Sequence, residues 1–445
     1  MGIFKVYDVR GIVPDELNAS KARRVGYHFA RHVKGETFVV GRDMRETSED
    51  VERGLVDGIN DAGANVIRLG CVPTPVTYFG IGHLGAAGGA SVTASHRPGE
   101  HSGFKLCREE AIPIGAKTGL KEIEEEYSAH PEEPTPAENR GTVQEVDVLD
   151  DYLDHVMRFA KVDRKLHVVV DAANGMAGIT IARIFERLEN VKLTPLFFDP
   201  DDSFPNHEPD PLRVGTLSEL RKKVLETGAD LGVGFDGDAD RIALVDERGR
   251  RVPSDLVTAL LAHWILEEHP DTPVIYDLRS SWVVPEEIRA HRGFPVRERV
   301  GHAFIRATMR DKQAYFAGEL SGHYYFRDNF YADCADMALL MILSLMCRTG
   351  KKLSALVRPL SRYVHSGEIS FRVEDQEGKI LEIAKEFAGA KIDYLDGITV
   401  SHPTWWFNLR KARTESLLRL TMEARTLERL EEGQGLIENI LGAPV

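Results

Sequence analysis

Three segments of the chain repeat one strand–helix–strand pattern, and this repeat limits the possible folds more than any other feature. In the first segment a β-rich run at residues 37–43 precedes a helix-like stretch at 48–62 and a second short run at 65–69. The same order returns over residues 166–198 and 274–300. Near-continuous apolar runs that alternate with helical patterns are typical of buried parallel strands in βαβ units. The repeat predicts three α/β domains of related topology, with mixed or parallel sheets.

The length of the chain and its linker-like segments predict several domains, because 445 residues exceed what one core holds. Residues 130–145 are rich in Pro and Glu and read as a linker, and a turn at 248–254 precedes a helix whose predicted N-cap is Ser254. From residue 368 onward short alternating runs surround a helix at 378–387, which indicates an α+β unit. The predicted domains are I at residues 1–145, II at 146–250, III at 251–366 and a smaller α+β domain IV at 367–445.

Charge and cysteine usage limit the partners and the compartment. The chain has 70 acidic and 56 basic residues, a net charge of -14, which argues against a nucleic-acid-binding protein. Its four cysteines form no C-x-x-C pair and no zinc-like spacing, which favours a reducing compartment. The N-terminus lacks the apolar core of a signal peptide, and the longest apolar stretch, residues 337–346, is too short to span a bilayer. We expect a cytoplasmic protein without a nucleic-acid or membrane partner.

A loop at residues 93–105 places a serine, Ser95, directly after an apolar run and among glycine and proline. Five basic side chains follow it in the sequence: His96, Arg97, His101, Lys105 and Arg108. Cations crowded around one hydroxyl indicate a site for a strongly anionic group, most simply a phosphate on or beside Ser95. A solvated surface loop with a capping serine is the alternative that this segment alone leaves open.

The run Asp-Gly-Asp-Ala-Asp-Arg at residues 236–241 lies between two β-rich runs. Its alternate carboxylates, Asp236, Asp238 and Asp240, can converge on one hard cation, and Mg²⁺ suits such an oxygen cluster. A dinucleotide fingerprint and an EF-hand loop overlap this run in spacing. We reject the first because aspartates would repel a pyrophosphate and a strand follows, and the second because Arg241 stands where an EF-hand needs glycine.

Two further motifs carry polar side chains in clusters. In Gly-Glu-Leu-Ser-Gly-His at residues 318–323, Glu319, Ser321 and His323 alternate, so they can face one way, grip sugar hydroxyls and supply a general base. A hydrogen-bonded core histidine is the alternative. Residues 409–416 carry Arg410, Lys411, Arg413 and Thr414, which form either a phosphate cradle or a basic solvated turn. The sequence has no P-loop, which disfavours nucleotide-driven phosphoryl transfer.

Taken together and in this order, the four motifs resemble the α-D-phosphohexomutase family, of the phosphomannomutase/phosphoglucomutase type. The resemblance covers essentially the whole chain and begins at Val-Tyr-Asp-Val-Arg-Gly, residues 6–11. It implies a central cleft between four domains and a reaction between hexose 1-phosphate and hexose 6-phosphate, through a phosphoserine and a hexose 1,6-bisphosphate. Ser95 would be the phosphoryl carrier and the fourth metal ligand, and the metal would be Mg²⁺ on the three aspartates.

The resemblance also implies roles for the other cleft residues. Glu319, Ser321 and His323 would choose the sugar, and Arg410 and Thr414 would bind the phosphate that is not being transferred. Further cleft residues are Tyr7, Arg10, Lys105, Arg241, Arg299 and His302. We expect Arg241, Lys105 and His96 to add positive charge around the transferred phosphoryl group. We expect His323 to act as general base, with Lys105 or Arg10 assisting.

Departures from the family pattern leave alternatives open. Arg97 stands where the family has Asn, and Ala412, Arg413 and Ser416 alter the phosphate loop of domain IV. Our hypothesis is that Arg413 takes over phosphate binding there. The Glu-Leu-Ser of the sugar loop resembles the mannose and glucose subgroup, whereas the glucosamine subgroup tends to carry Glu-Gln-Ser. A phosphoglucosamine mutase, a hydrolase using the same serine and metal, and a non-catalytic sugar-phosphate-binding protein are the alternatives.

Overall fold

The computed structural model describes residues 2–412 and 417–445, in which four sheets follow one another along the chain. The elements of domain I are β1 (Val9–Ile12), α1 (Ala19–Val33), β2 (Thr37–Arg42), α2 (Glu46–Asp61), β3 (Asn65–Cys71), α3 (Thr74–His83), β4 (Gly88–Val92), β5 (His101–Arg108), α4 (Leu120–Ala129) and β6 (Val143–Glu145). Its sheet has the order β1-β5-β4-β2-β3-β6. The Asn18 side chain accepts a hydrogen bond from the Lys21 amide at 3.0 Å and so begins α1.

Domains II and III have shorter sheets. Domain II contains α5 (Leu149–Met157), β7 (Leu166–Asp171), α6 (Ala177–Glu186), β8 (Val191–Leu196), α7 (Ser218–Thr227), β9 (Leu231–Phe235), β10 (Ile242–Asp246) and β11 (Arg251–Val252). Domain III contains α8 (Ser254–Glu268), β12 (Pro273–Asp277), α9 (Val283–Ala290), β13 (Phe294–Glu298), α10 (His302–Lys312), β14 (Phe316–Gly318), β15 (Tyr324–Phe326), β16 (Ala332–Asp333), α11 (Ala335–Thr349) and α12 (Leu353–Val357). The sheet orders are β11-β10-β9-β7-β8 and β13-β12-β14-β15-β16.

The three sheets share one topology. In each, a first strand (β2, β7 or β12) lies between two parallel neighbours, and the second of these pairs with an antiparallel strand. One large apolar core runs through all three domains, and separate clusters fill the opposite faces of their sheets. The predicted fold class of three related α/β domains and a smaller C-terminal α+β domain is confirmed, although every sheet of the first three domains is mixed.

Domain IV is built on an antiparallel sheet of order β17-β21-β20-β19-β18. Its elements are β17 (Val364–Arg372), α13 (Gln376–Glu386), β18 (Lys391–Asp393), β19 (Ile398–Ser401), β20 (Trp405–Lys411), β21 (Leu417–Ala424) and α14 (Leu427–Leu441). The domain has its own apolar core, in which Trp405 is completely buried. None of the helices in the described residues combines the length and the hydropathy that a bilayer crossing needs.

Three details differ from the sequence-based predictions. The strand β11 pairs with β10 of domain II, although the predicted boundary at residue 250 assigns it to domain III. The strand β17 of domain IV starts at Val364, two residues before the predicted end of domain III at residue 366. The predicted N-cap Ser254 is wrong. Pro253 holds the N-cap position, because its ψ of 137° lies outside the helical region, and Ser254 is the first helical residue.

Candidate active site

Ser95 lies in the turn between β4 and β5, and its backbone has a φ of 54°, in the left-handed region. Its amide donates a hydrogen bond to Thr93 Oγ1 at 2.9 Å, and that hydroxyl donates to Asp43 Oδ2 at 2.7 Å. The Ser95 carbonyl accepts from Arg45 Nη2 at 2.8 Å. A residue with a side chain keeps such a conformation only when its surroundings hold it there. These contacts therefore position the serine.

Asp43 and Arg45 form the base of the serine loop, and sequence reasoning missed both. They follow β2 and pair with each other, and Asp43 Oδ1 accepts from Ser48 Oγ at 2.6 Å. Arg45 Nη2 also donates to the Arg97 carbonyl at 2.7 Å. The available signal was the acid at the end of the β2 run, because sites in open α/β sheets form at the carboxyl ends of the strands.

Asp236, Asp238 and Asp240 occupy the hairpin between β9 and β10, and all three are buried. One carboxylate oxygen from each lies within 4.8 Å of the others, which is close enough to hold one metal ion. The Lys105 ammonium lies beside them, 2.5 Å from Asp238 Oδ2 and in contact with Asp240. Thr74, which sequence reasoning did not select, donates to Asp238 Oδ2 at 2.7 Å. The hairpin, α3 and β5 thus meet at one acidic cluster.

The protonation of this cluster reflects burial and crowding. Burial raises the pKa of Asp236 to about 8 against the opposing charge of Arg241. Burial acts to raise the pKa of Asp238 and Asp240 as well, but Lys105, together with Thr74 at Asp238 and His323 at Asp240, outweighs it and lowers the pKa of both carboxyls. Among the described residues Asp238 Oδ1 is buried without a hydrogen-bond partner, and Asp240 Oδ1 contacts His323 Nε2 at 3.4 Å. A buried carboxylate oxygen that lacks a donor fits a hard divalent cation, so the residues present suit the predicted metal.

Basic donors surround Ser95 on its other side. The Ser95 hydroxyl lies 3.2 Å from both Asp236 Oδ2 and His96 Nδ1, and Arg241 Nε donates to Asp236 Oδ2 at 2.8 Å. Arg241 Nη2 and Arg10 Nε are buried, and neither has a hydrogen-bond partner in the described part of the chain. Buried guanidinium donors without acceptors mark room for an anion.

His96 lies beside the Ser95 hydroxyl. Burial, with added repulsion from Arg241 and Arg10, holds the pKa of His96 well below its usual range. This environment favours the neutral imidazole in the unphosphorylated chain. The prediction that His96 adds positive charge beside the transferred phosphoryl group concerns the phosphorylated chain and stays a prediction. It can still hydrogen-bond the Ser95 hydroxyl.

The sugar-loop residues lie together between β14 and β15. Ser321 Oγ lies 3.2 Å from Glu319 Oε2 and 2.9 Å from His323 Nδ1. The buried Glu319 also accepts from the Gly301 amide at 2.9 Å and from the Tyr325 hydroxyl at 2.7 Å. Its oxygens are thus already engaged by the chain, and a sugar hydroxyl would exchange with one of these donors. The predicted alternation of Glu319, Ser321 and His323 on one face is present.

His323 connects the sugar loop to the acidic cluster, with its Nε2 3.4 Å from Asp240 Oδ1. Although burial acts in the opposite direction, Asp240 and Glu319 raise the pKa of His323 to about 10. A cationic imidazole has no free lone pair, so His323 would have to lose this proton before it could accept one from a sugar hydroxyl, and its role as general base stays a prediction. The proposed assistants are also cations: Arg10 is a guanidinium, and the pKa of Lys105 is raised by Asp238 and Asp240 despite burial.

Tyr7 and His302 join domains I and III at the edge of the cleft. The Tyr7 hydroxyl donates to the Val300 carbonyl at 2.9 Å, and its ring lies 5.4 Å from that of His302. Burial and the nearby Arg306 lower the pKa of His302 to about 3, which makes it a neutral ring. Arg299 pairs with Glu298 at 3.4 Å and lies over the Phe304 ring. All three predicted residues are therefore at one domain junction.

Arg410 lies on β20 and contacts Glu368 Oε2 at 2.6 Å through Nη2. Burial and the neighbouring Arg279 lower the pKa of Arg410. The predicted phosphate ligands Arg413 and Thr414 lie outside the described residues, so the hypothesis for Arg413 stays a prediction. Sequence reasoning missed Glu368 and Arg279, which no local motif distinguishes.

A cavity of about 870 Å³ brings the serine loop, domain II and domain IV together. Its lining includes His96 and Arg97 of the serine loop, Asp210 beside Arg241, and Arg419 of β21. The volume lies in the usual range for small-molecule sites. The geometry thus joins the serine loop, an acidic cluster that could hold a metal ion, the polar loop of Glu319–His323 and basic side chains from several domains.

Three parts of the chain match domains of one protein family. Residues 1–133 match phosphoglucomutase/phosphomannomutase, alpha/beta/alpha domain I, residues 150–249 match domain II and residues 253–363 match domain III. The matched segments cover each of the three α/β domains described above.

Individual relatives extend this similarity over nearly the whole chain. A phosphomannomutase of Salmonella montevideo is 38% identical over 431 residues, which cover 95% of this chain and 94% of that protein. A phosphomannomutase of Methanocaldococcus jannaschii is 36% identical over 443 residues, which cover 99% of this chain and 97% of that protein. The crystal structure of a phosphoglucomutase/phosphomannomutase family protein from Burkholderia thailandensis has a TM-score of 0.90 at 31% identity, covering 99% of this chain and 96% of that one.

Proposed function

The chain belongs to the phosphoglucomutase/phosphomannomutase family and is a hexose phosphate mutase, and we propose that Ser95 carries the phosphoryl group that it transfers. The substrates are hexose 1-phosphate and hexose 6-phosphate, with the hexose 1,6-bisphosphate as the intermediate. The enzyme is an isomerase that uses no nucleotide. The cytoplasmic location expected from the sequence stays a prediction.

The arrangement of unpaired buried atoms around Ser95 supports this proposal most directly. Two buried donors, Arg10 Nε and Arg241 Nη2, and the buried acceptor Asp238 Oδ1 lack hydrogen-bond partners in the described chain, and Asp240 Oδ1 has the 3.4 Å contact with His323 Nε2. Buried polar atoms are normally paired, because an unpaired one costs about 1–3 kcal/mol. A phosphate on Ser95 together with a divalent cation would contact all four atoms. A serine that served only as a turn residue would need neither.

In the first half-reaction a hydroxyl of the hexose phosphate attacks the phosphorus on Ser95. The bond between Ser95 Oγ and phosphorus breaks, a bond from the sugar oxygen to phosphorus forms, and the sugar hydroxyl proton leaves while Ser95 Oγ gains one. Arg241 and Lys105 hold positive charge close to the transferring group, and His96 hydrogen-bonds Ser95 Oγ. Glu319 and Ser321 orient the sugar through its hydroxyls.

In the second half-reaction the bisphosphate has turned over in the cleft and presents its other phosphate. Ser95 Oγ attacks that phosphorus, the bond to the sugar oxygen breaks, and the proton moves in the opposite direction. Arg410 holds the phosphate that is not transferred, with Thr414 and Arg413 as further predicted ligands. We expect domain IV to close over the cleft, because water would otherwise hydrolyse the phosphoserine.

Mg²⁺ is the metal that we propose for Asp236, Asp238, Asp240 and the Ser95 phosphate, because its ligands are oxygens and it often binds a phosphate beside one or two carboxylates. When bound, it would neutralise charge on the transferring phosphoryl group. Chelation is expected to abolish turnover and added Mg²⁺ to restore it, as measured by isomerisation rate.

Mannose and glucose phosphates are the substrates we propose. The named relatives are phosphomannomutases, and the sugar loop reads Glu-Leu-Ser. Turnover of mannose 1-phosphate, glucose 1-phosphate and glucosamine 1-phosphate, each with Mg²⁺ and a trace of the matching bisphosphate, tests this choice. Faster turnover of glucosamine 1-phosphate would instead make the chain a phosphoglucosamine mutase. Release of free phosphate would indicate a hydrolase, and binding without turnover a sugar-phosphate-binding protein.

A further inference from the structure

One carboxylate, Glu368, stands at the centre of three arginines. Arg410 Nη2 lies 2.6 Å from Glu368 Oε2, Arg279 Nη1 lies 3.8 Å from the same oxygen, and Arg419 Nη1 lies 3.6 Å from Glu368 Oε1. Arg410 and Arg419 lie on β20 and β21, and Arg279 lies in the turn after β12. Three positive charges, from domains III and IV, therefore converge on a single carboxylate.

The backbone of β17 is shaped to present Glu368 there. The register between β17 and β21 shifts between His365 and Glu368, and Gly367 has a φ of 70°. A bulge with glycine in the left-handed region lets one extra residue leave the ladder and redirects the next side chain. Glu368 is thereby turned toward Arg279 of domain III.

Two of the three arginines are buried, whereas Glu368 and Arg419 are partly exposed. The side chains of Arg410 and Arg279 are 9% and 10% exposed, whereas that of Glu368 is 31% exposed. Arg410 Nε is buried without a hydrogen-bond partner among the residues described. Arg279 and Glu368 also line a cavity of about 860 Å³ between domains II, III and IV. An anion can therefore reach arginines that Glu368 already neutralises in part.

We propose that Glu368 competes with the substrate's non-transferred phosphate for the same three arginines. Before substrate binds, Glu368 pairs with Arg410, Arg279 and Arg419, and the phosphate displaces it when substrate binds. This inference rests on the proposed function, in which Arg410 binds that phosphate. Each arginine exchanges a carboxylate for a phosphate oxygen, so part of the binding energy is lost in breaking the first contacts.

Weak phosphate binding serves a mutase in particular. The bisphosphate must dissociate from the domain IV arginines once in every cycle in order to reorient in the cleft. A carboxylate that can pair with those arginines again favours this dissociation. Glu368 is in this view a positioning residue that sets the balance between holding and releasing the phosphate, and it takes no part in the bond changes.

The test measures binding separately from turnover. A Ser95→Ala chain is titrated calorimetrically with glucose 1-phosphate and mannose 1-phosphate, alone and with Glu368→Gln, Glu368→Asp or Glu382→Gln added. Glu382 is an exposed residue of α13 paired with Lys379, so its variant removes the same charge far from the arginines. We expect Glu368→Gln to tighten binding by a factor of about ten, because a like charge beside the phosphate is removed. Glu368→Asp and Glu382→Gln should stay near the parent value.

Unchanged or weaker binding in Glu368→Gln would overturn the inference, since it would mean that the carboxylate holds the arginines in place for the phosphate. Tighter binding in Glu368→Asp as well would also overturn it, because shape and not charge would then control affinity. In the chain that retains Ser95, Glu368→Gln should lower KM and kcat together. If the parent chain binds the sugar phosphates but does not isomerise them when Ser95 is present, the proposed function fails while the binding comparison still decides the role of Glu368.

Discussion

Ser95 owes its position to buried side chains behind its loop. Its left-handed backbone costs on the order of 1–2 kcal/mol relative to an extended one. Arg45, which is completely buried, offsets this cost by binding the carbonyls of Ser95 and Arg97. Asp43 holds Arg45 and the Thr93 hydroxyl at the same time. The hydroxyl that we propose as the phosphoryl carrier is thus positioned by a buried ion pair behind it.

The Arg45→Lys variant tests this positioning. Lysine keeps the charge that Asp43 needs, but one ammonium cannot reach both carbonyls with the fixed fork of a guanidinium. We expect kcat to fall by about 10- to 100-fold, because small misplacements of a reacting group cost that much, while KM changes little. Steady-state kinetics measure both values, and Arg53→Lys on the exposed face of α2 is the matched control. An unchanged kcat would show that the turn holds Ser95 without Arg45.

Single residues also explain why part of the site was predictable. Ser95, the three aspartates and the Glu319–His323 loop stand in short motifs whose chemistry shows in the sequence. Asp43, Thr74 and Glu368 contact the serine loop, Asp238 and Arg410, respectively, and Arg279 lies beside Glu368, but all four are distant from those motifs in the sequence. These residues meet their contact partners only in the folded structure, so the sequence does not show which pairs form. The charge states of His96 and His323 were also not predictable, because burial and neighbouring charges across domains decide them.

At the scale of elements, the loop before α10 depends on one glycine. Gly301 has a φ of 128°, and a Cβ built on it would lie 2.5 Å from the Tyr7 hydroxyl oxygen. This loop also donates the Gly301 amide to Glu319. The contact between domains I and III and the position of the sugar loop therefore share one backbone conformation.

Gly301→Ala is expected to lower the free energy of unfolding by about 1–3 kcal/mol through backbone strain alone, with further loss from the contact with Tyr7. Urea unfolding followed by circular dichroism measures this change. Gly435→Ala is the control, because that glycine lies in α14 with no atom within 4 Å of an added Cβ. It should be neutral or slightly stabilising. Equal stability of the two variants would contradict the strain argument.

The packing of α5 against α11 buries a titratable pair. The Tyr152 hydroxyl donates to Asp336 Oδ2 at 2.8 Å, and burial raises the pKa of Asp336 to about 6 from a usual 3.8. Because the folded chain binds this proton more tightly than the unfolded chain, the stabilisation is complete below pH 3.8 and is lost as the pH rises through 6. The charged form is the one that burial disfavours.

Asp336→Asn removes this titration. Relative to the parent chain, we expect the variant to gain roughly 2–3 kcal/mol of stability between pH 4 and pH 7.5, since each pKa unit corresponds to about 1.36 kcal/mol. Urea unfolding at both pH values gives the difference. Asp163→Asn, at an exposed position, is the control and should show no such trend. A stability difference that does not change with pH would contradict the assigned pKa.

At the scale of the whole molecule, domain order and topology were predictable because three strand–helix–strand repeats are local patterns. The choice between mixed and purely parallel sheets stayed open, because the antiparallel β5, β10 and β15 give the same apolar signal as parallel strands. The contacts of domain IV were also outside local patterns. Glu423 accepts hydrogen bonds from the Trp282 amide at 2.9 Å and the Trp406 indole at 3.0 Å, which ties β21 to domain III.

The arrangement of domains gives the chemistry its parts. Domain I supplies Ser95 and Lys105, domain II the three aspartates, domain III the sugar loop, and domain IV Arg410. The shared core of the first three domains fixes the reacting groups relative to one another, while domain IV has a separate core and joins through polar contacts. Such a division suits a reaction in which the substrate must be held, released and turned.

Phosphorylation of Ser95 is the central claim, and mass spectrometry of the protein after brief incubation with glucose 1,6-bisphosphate and Mg²⁺ tests it most directly. We predict one added phosphoryl group on the peptide that contains Ser95, absent in Ser95→Ala, and its loss to hexose monophosphate when that substrate is added at the rate of turnover. A phosphoryl group found on another residue, or isomerisation that persists in Ser95→Ala, would contradict the account.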